Sequence, residues 1–139
     1  MILEQTDIND VILITPRVYT DERGYFMESY NQKKIDKAIK DNFVQDNESV
    51  SNKNVLRGLH LQLPPHAQAK LIRVIKGSIL DVAVDLRKSS KTYGKHFKHI
   101  LTGENKKQLY IPVGFAHGFL SLEDDTILNY KCSDYYHAD

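Results

Sequence analysis

The stretch KLIRVIKGSILDVAVDL, residues 70 to 86, contains two aliphatic runs of strand length parted by Lys76-Gly77-Ser78. Valine and isoleucine suit a pleated, half-buried surface, and the glycine marks a turn. The second run alternates. Successive strand side chains point to opposite sides, so Leu80, Val82, Val84 and Leu86 share one face and Ile79, Asp81, Ala83 and Asp85 the other. The wholly aliphatic face is expected to pack sheet against sheet. The opposite face carries two acids in a mostly apolar strand.

Runs of the same kind recur along the chain: VILIT (11–15), YFMESY (25–30), HFKHILT (96–102), KQLYIP (107–112) and TILNYKC (126–132). Turn signals separate them, among them Asp21-Glu22-Arg23-Gly24, Pro64-Pro65, Gly103-Glu104-Asn105 and Pro112-Val113-Gly114. Only NQKKIDKAIKDN, residues 31 to 42, reads as a helix. There Ile35, Ala38 and Ile39 fall at helical spacing behind Asn31 as N-cap. Many short antiparallel strands with one or two short helices predict an all-β sandwich or barrel.

A chain of 139 residues can bury one real core, and it shows no low-complexity linker, charge block or internal repeat. Residues 1–139 are therefore expected to form a single domain. With 19 Lys and Arg against 18 Asp and Glu, the net charge of +1 argues against broad binding to nucleic acid or to a membrane surface. No apolar run approaches the length of a membrane span. The N-terminal MILEQTDIND carries acids that a secretory signal would lack. The single cysteine, Cys132, excludes an internal disulfide and fits a reducing cytoplasm.

The candidate chemistry lies just upstream and overlapping, in VLRGLHLQLPPHAQAKLIRVIKG, residues 55 to 77. Alternation in LRGLHLQ (56–62) puts Gly58, His60 and Gln62 on one face and Arg57, Leu59 and Leu61 on the other, with Gly58 leaving space beside His60. Three readings compete: a barrel metal centre, a metal-free acid/base pocket, or an ordinary hairpin with polar residues on its wet face. A metal-binding barrel of the cupin type pairs H-x-H and a downstream Glu with a third His on a later strand. Here the second His is Gln62, no Glu falls between 61 and 103, and Lys70 stands where an acid is wanted. The later element is present as PVGFAHG (112–118), with His117. Two histidines and a lysine do not close a zinc or iron site, and His66 follows Pro64-Pro65 in a turn. No metal and no cofactor are expected.

What remains is a cationic, proton-active set. His60 offers an imidazole, a side chain suited to exchanging a proton near neutral pH. Lys70 and Arg57 can stabilise negative charge on an oxygen. Tyr130, in LNYKCSDYY (128–136), can deliver a proton from another direction. These are the parts needed to move a proton on a carbon beside a carbonyl. The plainer alternative makes His60 a hydrogen-bonded structural group and Tyr130, Tyr135 and Tyr136 rim or interface aromatics, with Arg57 and Lys70 solvated.

The segments RGLHLQ, PPHAQAKLIRVIKG, DVAVDLR, SKTYGK, QLYIPVGFAHGFLSL and YKCSDYY, in this order and spacing, resemble the dTDP-4-dehydrorhamnose 3,5-epimerase family, the RmlC-type nucleotide-sugar epimerases. DERGYFMESYN and FVQDNESVS fit it too, so the likeness runs from about Thr15 to the last residues. The resemblance implies a cupin-type jelly-roll barrel without metal or cofactor. It further implies a dTDP-linked 4-keto-6-deoxy sugar as substrate and a homodimer that exchanges an N-terminal arm of about residues 1–30. Position by position, His60 (within R-G-x-H) matches the general base and Tyr130 (within Y-K-x-x-D-Y-Y) the general acid. Lys70 resembles the residue that stabilises the enolate oxygen derived from the C4 ketone. Arg57 and His117 match residues lining the sugar–pyrophosphate pocket, Gln45 and Asn47 look like substrate contacts, and Tyr136 matches a second pocket tyrosine. Arg23 and Glu28 resemble residues of the arm that reaches the partner's site, where Arg23 would meet nucleotide phosphate and Phe26 would lie near the base.

One departure stands out. Family members continue past SDYYHAD into a segment that supplies an Asp orienting the base, so this sequence is expected to be either truncated or a natural short form. Asp81 and Asp85 are then the candidates to hold His60, and Asp139 is expected to fray. The implied activity is inversion of C3 and C5 of dTDP-4-dehydro-6-deoxy-D-glucose, for rhamnose-type sugar synthesis. Two other readings stand beside it. One is a mono-epimerase or ketoisomerase of a related dTDP sugar, the ketoisomerase disfavoured by Gln62. The other is a non-catalytic nucleotide-sugar-binding form.

Overall fold

A computed structural model describes residues 1–138, which fold into two antiparallel sheets laid face to face. The strands are β1 (Ile2–Gln5), β2 (Ile12–Thr15), β3 (Val18–Asp21), β4 (Gly24–Met27), β5 (Gln45–Ser51), β6 (Leu56–His60), β7 (Lys70–Lys76), β8 (Ser78–Asp85), β9 (His96–Thr102), β10 (Gln108–Ile111), β11 (Phe115–Ser121) and β12 (Thr126–Cys132). One sheet has the order β1-β2-β10-β7-β12-β5 and the other β6-β11-β8-β9, while β3 and β4 form a separate hairpin. This is the expected all-β jelly roll. The expected fraying of Asp139 lies outside the described residues. No helix among them is long and apolar enough to cross a membrane.

The two aliphatic runs of residues 70–86 do not pair with each other. β7 lies in the six-stranded sheet and β8 in the four-stranded one, so the chain changes sheets at Gly77. Gly77 has φ +88°, and a Cβ there would stand 2.4 Å from Thr126 Oγ1. Only glycine fits that corner without strain. Between the sheets lies the main core, where Ile72 and Val74 of β7 meet Ile79, Ala83, Leu101, Leu109, Phe119 and Leu128.

The face assignment in β8 is a correction. Ile79, Asp81, Ala83 and Asp85 point inward, both acids fully buried. Leu80, Val82 and Val84 are half-exposed on the outer side, and Leu86 beyond them is exposed. Alternation identifies two faces but not which of them is inside. Acids are buried only with partners, and here each has one. Asp81 binds His117, and Asp85 accepts hydrogen bonds from Arg87, Ser90 and Thr92 at the β8–β9 corner. Burial works to raise the Asp85 pKa, but those donors hold its carboxyl well below the ordinary range.

The helix is shorter than its pattern. Only Gln32–Ile35, α1, forms a full turn, capped as expected by Asn31, whose side chain accepts from the Lys34 N–H. Ile35 and Ile39 are buried beneath it with Ile12, Ile14, Leu71 and Tyr110, forming a second core on the outer face of the six-stranded sheet. Anchoring of those two isoleucines accounts for the helical spacing in the sequence. With so little helix to propagate, a single turn is what packing retains.

Candidate functional site

The site begins with a break in the alternation of β6. His60 pairs with His117 and Arg57 with Phe119, so three steps along β6 match two along β11. That bulge is made at Gly58, whose φ is +114° and whose absent Cβ would lie 2.6 Å from Gly118 Cα. The sequence reading placed Arg57 and His60 on opposite faces. The extra residue turns both into one cavity, because a bulge re-aims the side chains that follow it. Nor does Gly58 leave open space beside His60; the backbone of Gly118 takes it.

Both sheets furnish that cavity, about 350 Å³ in volume. Arg57, His60 and His117 come from the four-stranded sheet, and Ser49, Lys70 and Tyr130 from the six-stranded one. A wider opening of about 550 Å³ shares His60, Lys70 and Tyr130 and adds Asn47 and Tyr136. Gln45 stands behind these, donating to Asn47 Oδ1 at 2.9 Å and accepting from the Tyr136 N–H at 3.2 Å. Eight of the expected site residues thus gather at one place. Three do not: Arg23 and Phe26 lie on the β3–β4 hairpin, lining a separate depression, and Glu28 is bound to Lys34 and Asn31 on the surface. Arg23 is highly exposed, and among the described residues it is paired only with Asp21 of its own turn.

Charge in the cavity is unevenly buried. Burial pulls the Lys70 ammonium below the ordinary lysine value, while the negative potentials of Cys132 and Asp81 oppose that shift. The Lys70 nitrogen lies 5.8 Å from the centre of the Tyr130 ring. Burial likewise raises the Cys132 thiol, which accepts from the Asn47 side chain and faces Lys70 across the strand pair. Arg57 is steadied by Ser51, its Nε donating to Oγ at 3.0 Å.

Neither acid suggested as a partner of His60 serves it. Asp81 is engaged with His117, Nε2 to Oδ1 at 2.5 Å, and Asp85 lies in the corner described above. Among the described residues the His60 ring makes no hydrogen bond, and it is exposed. The Asp81–His117 bond is fully enclosed, which fixes the imidazole orientation and directs Nδ1 away from the acid. Sequence reasoning missed this dyad and also missed Ser49, whose buried Oγ has no hydrogen-bond partner among the described residues. A signal for Ser49 was present: QDNESVS (45–51) alternates with polar residues on both faces. A strand with no apolar face can still line a polar cavity.

The family model described as dTDP-4-dehydrorhamnose 3,5-epimerase matches residues 5–139. The curated dTDP-4-dehydrorhamnose 3,5-epimerase of Shigella flexneri is 54% identical over 134 residues, covering 95% of this chain and 74% of its own length. The crystal structure of dTDP-4-dehydrorhamnose 3,5-epimerase from Elizabethkingia anophelis superimposes with a TM-score of 0.94 at 50% identity, over 99% of this chain and 76% of that one. A Legionella pneumophila 3,5-epimerase, solved in complex with dTDP-4-keto-L-rhamnose, gives 0.93 at 49% identity, over 97% of this chain and 72% of that one. The chain spans about three quarters of the length of these relatives.

Proposed function

The chain belongs to the dTDP-4-dehydrorhamnose 3,5-epimerase family, and on that premise we propose that His60, Tyr130 and Lys70 are its catalytic residues. The enzyme inverts stereocentres of a dTDP-linked 4-keto-6-deoxy sugar in rhamnose-type synthesis. The observation that carries the residue roles is the origin of the groups: His60 stands on one sheet and Tyr130 on the other, across a single cavity. A sugar ring held between the sheets meets a base on one face and an acid on the other. Inversion requires that arrangement, since a proton returned from the side it left restores the original centre.

A proton beside a ketone is too weakly acidic for an unaided imidazole. The charge that develops on the C4 oxygen must be stabilised as it forms, and the half-buried Lys70 ammonium supplies that. C3 and C5 both flank C4, so one cation serves both centres. Arg57 and His117 line the same cavity and suit the sugar–pyrophosphate portion, where guanidinium binds phosphate oxygens in pairs. Gln45, Asn47 and Tyr136 form the outer contacts.

The working unit in this reading is a homodimer, in the reducing cytoplasm that the lone buried thiol suits. Two features support the second copy. The outer face of the four-stranded sheet exposes an apolar groove of about 360 Å³, with Leu56, Leu59, Leu80, Val82 and Leu120 on its walls. A patch of that kind marks an interface. The β3–β4 hairpin also stands off the core with Tyr19, Tyr25 and Phe26 exposed, and a lone hairpin is marginally stable in water. Within the expected arm of residues 1–30, β1 and β2 are seated in the six-stranded sheet, and it is the β3–β4 hairpin with the residues after it that brings the Arg23, Phe26 and Glu28 of one chain to the partner's cavity.

Solvent exchange tests the assignment. Incubation with dTDP-4-keto-6-deoxyglucose in deuterated water should label C3 and C5, followed by NMR. In His60→Ala the label should vanish from both carbons while dTDP affinity stays within a few-fold. Exchange at the wild-type rate in that variant removes His60 from the base role, and label at one carbon alone makes the enzyme a mono-epimerase.

A further inference from the structure

Two imidazoles and a carboxylate to which the reaction gives no role meet at the rim of the wider opening. His66 follows the Pro64-Pro65 turn, and Asp134 and His137 follow β12. One donor atom of each lies within 4.8 Å of the others. His66 Nδ1 stands 3.8 Å from Asp134 Oδ2, too far for a hydrogen bond. It is close to the separation of two ligands on one tetrahedral ion, about 3.4 Å for bonds of about 2.0–2.2 Å. The rings of His66 and His137 are stacked, 14° from parallel with centroids 3.3 Å apart, so two nitrogen donors sit side by side.

From this juxtaposition we propose that His66, Asp134 and His137 bind one divalent transition-metal ion of the zinc class. The surroundings fix the backbone of all three. Gln62 donates to the carbonyls of His66 and Tyr135 and accepts from the His137 N–H, tying both histidine segments together. Gln68 donates to the Asp134 carbonyl at 2.8 Å, and Asp134 Oδ1 accepts from the Tyr135 N–H at 2.7 Å. That leaves Oδ2 turned toward His66. Side-chain rotation alone then brings the three donors onto an ion.

Two imidazoles with one carboxylate suit zinc, nickel or copper, whereas magnesium and calcium take oxygen ligands. His66 and Asp134 are half-buried and His137 is exposed, so an ion can enter from solvent and keep a water in its fourth position. The site is distinct from the cavity between the sheets and does not rest on the epimerase reading. Its consequence is mechanical: the ion joins the 64–66 turn to residues 134–137 and fastens the wall that carries Tyr136.

Zinc chloride titrated calorimetrically into the untagged chain should bind one ion per chain and raise the melting temperature. Magnesium chloride at the same concentration should do neither. His66→Ala and His137→Ala should each abolish stoichiometric binding, and His60→Ala should retain it. Melting curves without zinc identify any variant that fails to fold. In the wild-type chain, which needs no substitution, the imidazole NMR signals of His66 and His137 should shift or broaden with zinc before those of His60 and His117. Absence of a stoichiometric site overturns the proposal, as does binding that survives in both alanine variants or first perturbs His60 and His117.

Discussion

Lys70 is the residue at which burial and function pull against each other. The fold withdraws its ammonium from water, and the reading above requires that same charge on a developing oxyanion. Its folded pKa is therefore lowered from 10.5, and two pH effects follow. Between the lowered value and 10.5 the unfolded chain binds the extra proton, so this group makes stability rise with pH across that window. Activity runs the other way. It falls as pH climbs through the lowered value, so the alkaline limb of kcat/KM should lie below the ordinary lysine range. Lys70→Met should cut kcat by about 10²–10³, the loss seen on removing one oxyanion donor, and should flatten the stability slope in that window. A full pH–rate profile and parallel denaturant melts check both. The motif around Lys70 was legible because lysine is out of place in an aliphatic strand, and the resemblance gave that anomaly a role. Its altered acidity was not legible, because it is set by burial, which arises only when strands distant in sequence pack around it, with Cys132 and Asp81 opposing the shift.

At the scale of the element, the β6 bulge decides whether the site exists. Arg57 and His60 share a cavity only because Gly58 absorbs an extra residue against β11. Gly58→Ala would force a Cβ into the Gly118 backbone, at a φ that L-residues avoid. It should cost about 1–3 kcal/mol from overpacking, with about 1 kcal/mol or more from backbone strain. Exchange at the sugar carbons should fall by more than the folded fraction does, because the two side chains are re-aimed. Chemical denaturation measured alongside exchange separates these losses; equal losses would reduce Gly58 to a packing role. Strict period-two counting could not find the bulge, since the sequence carries no mark of it beyond a glycine. The inner face of β8 was misread for a related reason: Asp81 is buried because His117 reaches it from β11, while Asp85 is held by Arg87, Ser90 and Thr92 of the turn that follows it.

At the scale of the whole molecule, the site is split between copies in the proposed dimer, and two experiments address that. Leu80→Lys, on the apolar outer groove, should shift sedimentation from dimer to monomer at micromolar concentration and abolish activity while leaving the monomer folded. Arg23→Glu and His60→Ala, each inactive alone, should regain activity when co-assembled. A mixed two-fold dimer then holds one site with an intact base and an intact arm, about a quarter of all sites in a random mixture. No recovery would place the arm on its own chain. The sequence by itself determined the strand-rich class, most strand positions, the capped turn at Asn31 and the residue types for proton transfer, because alternation and turn chemistry are local. Only the tertiary structure decided which face of β8 is inside, that Arg57 and His60 share a cavity, that Asp81 serves His117, and that the β3–β4 hairpin stands apart. The first three depend on pairings between strands far apart in the chain, where the partner of Asp81 is set by packing rather than by sequence neighbours, and the last on what the hairpin does not pack against.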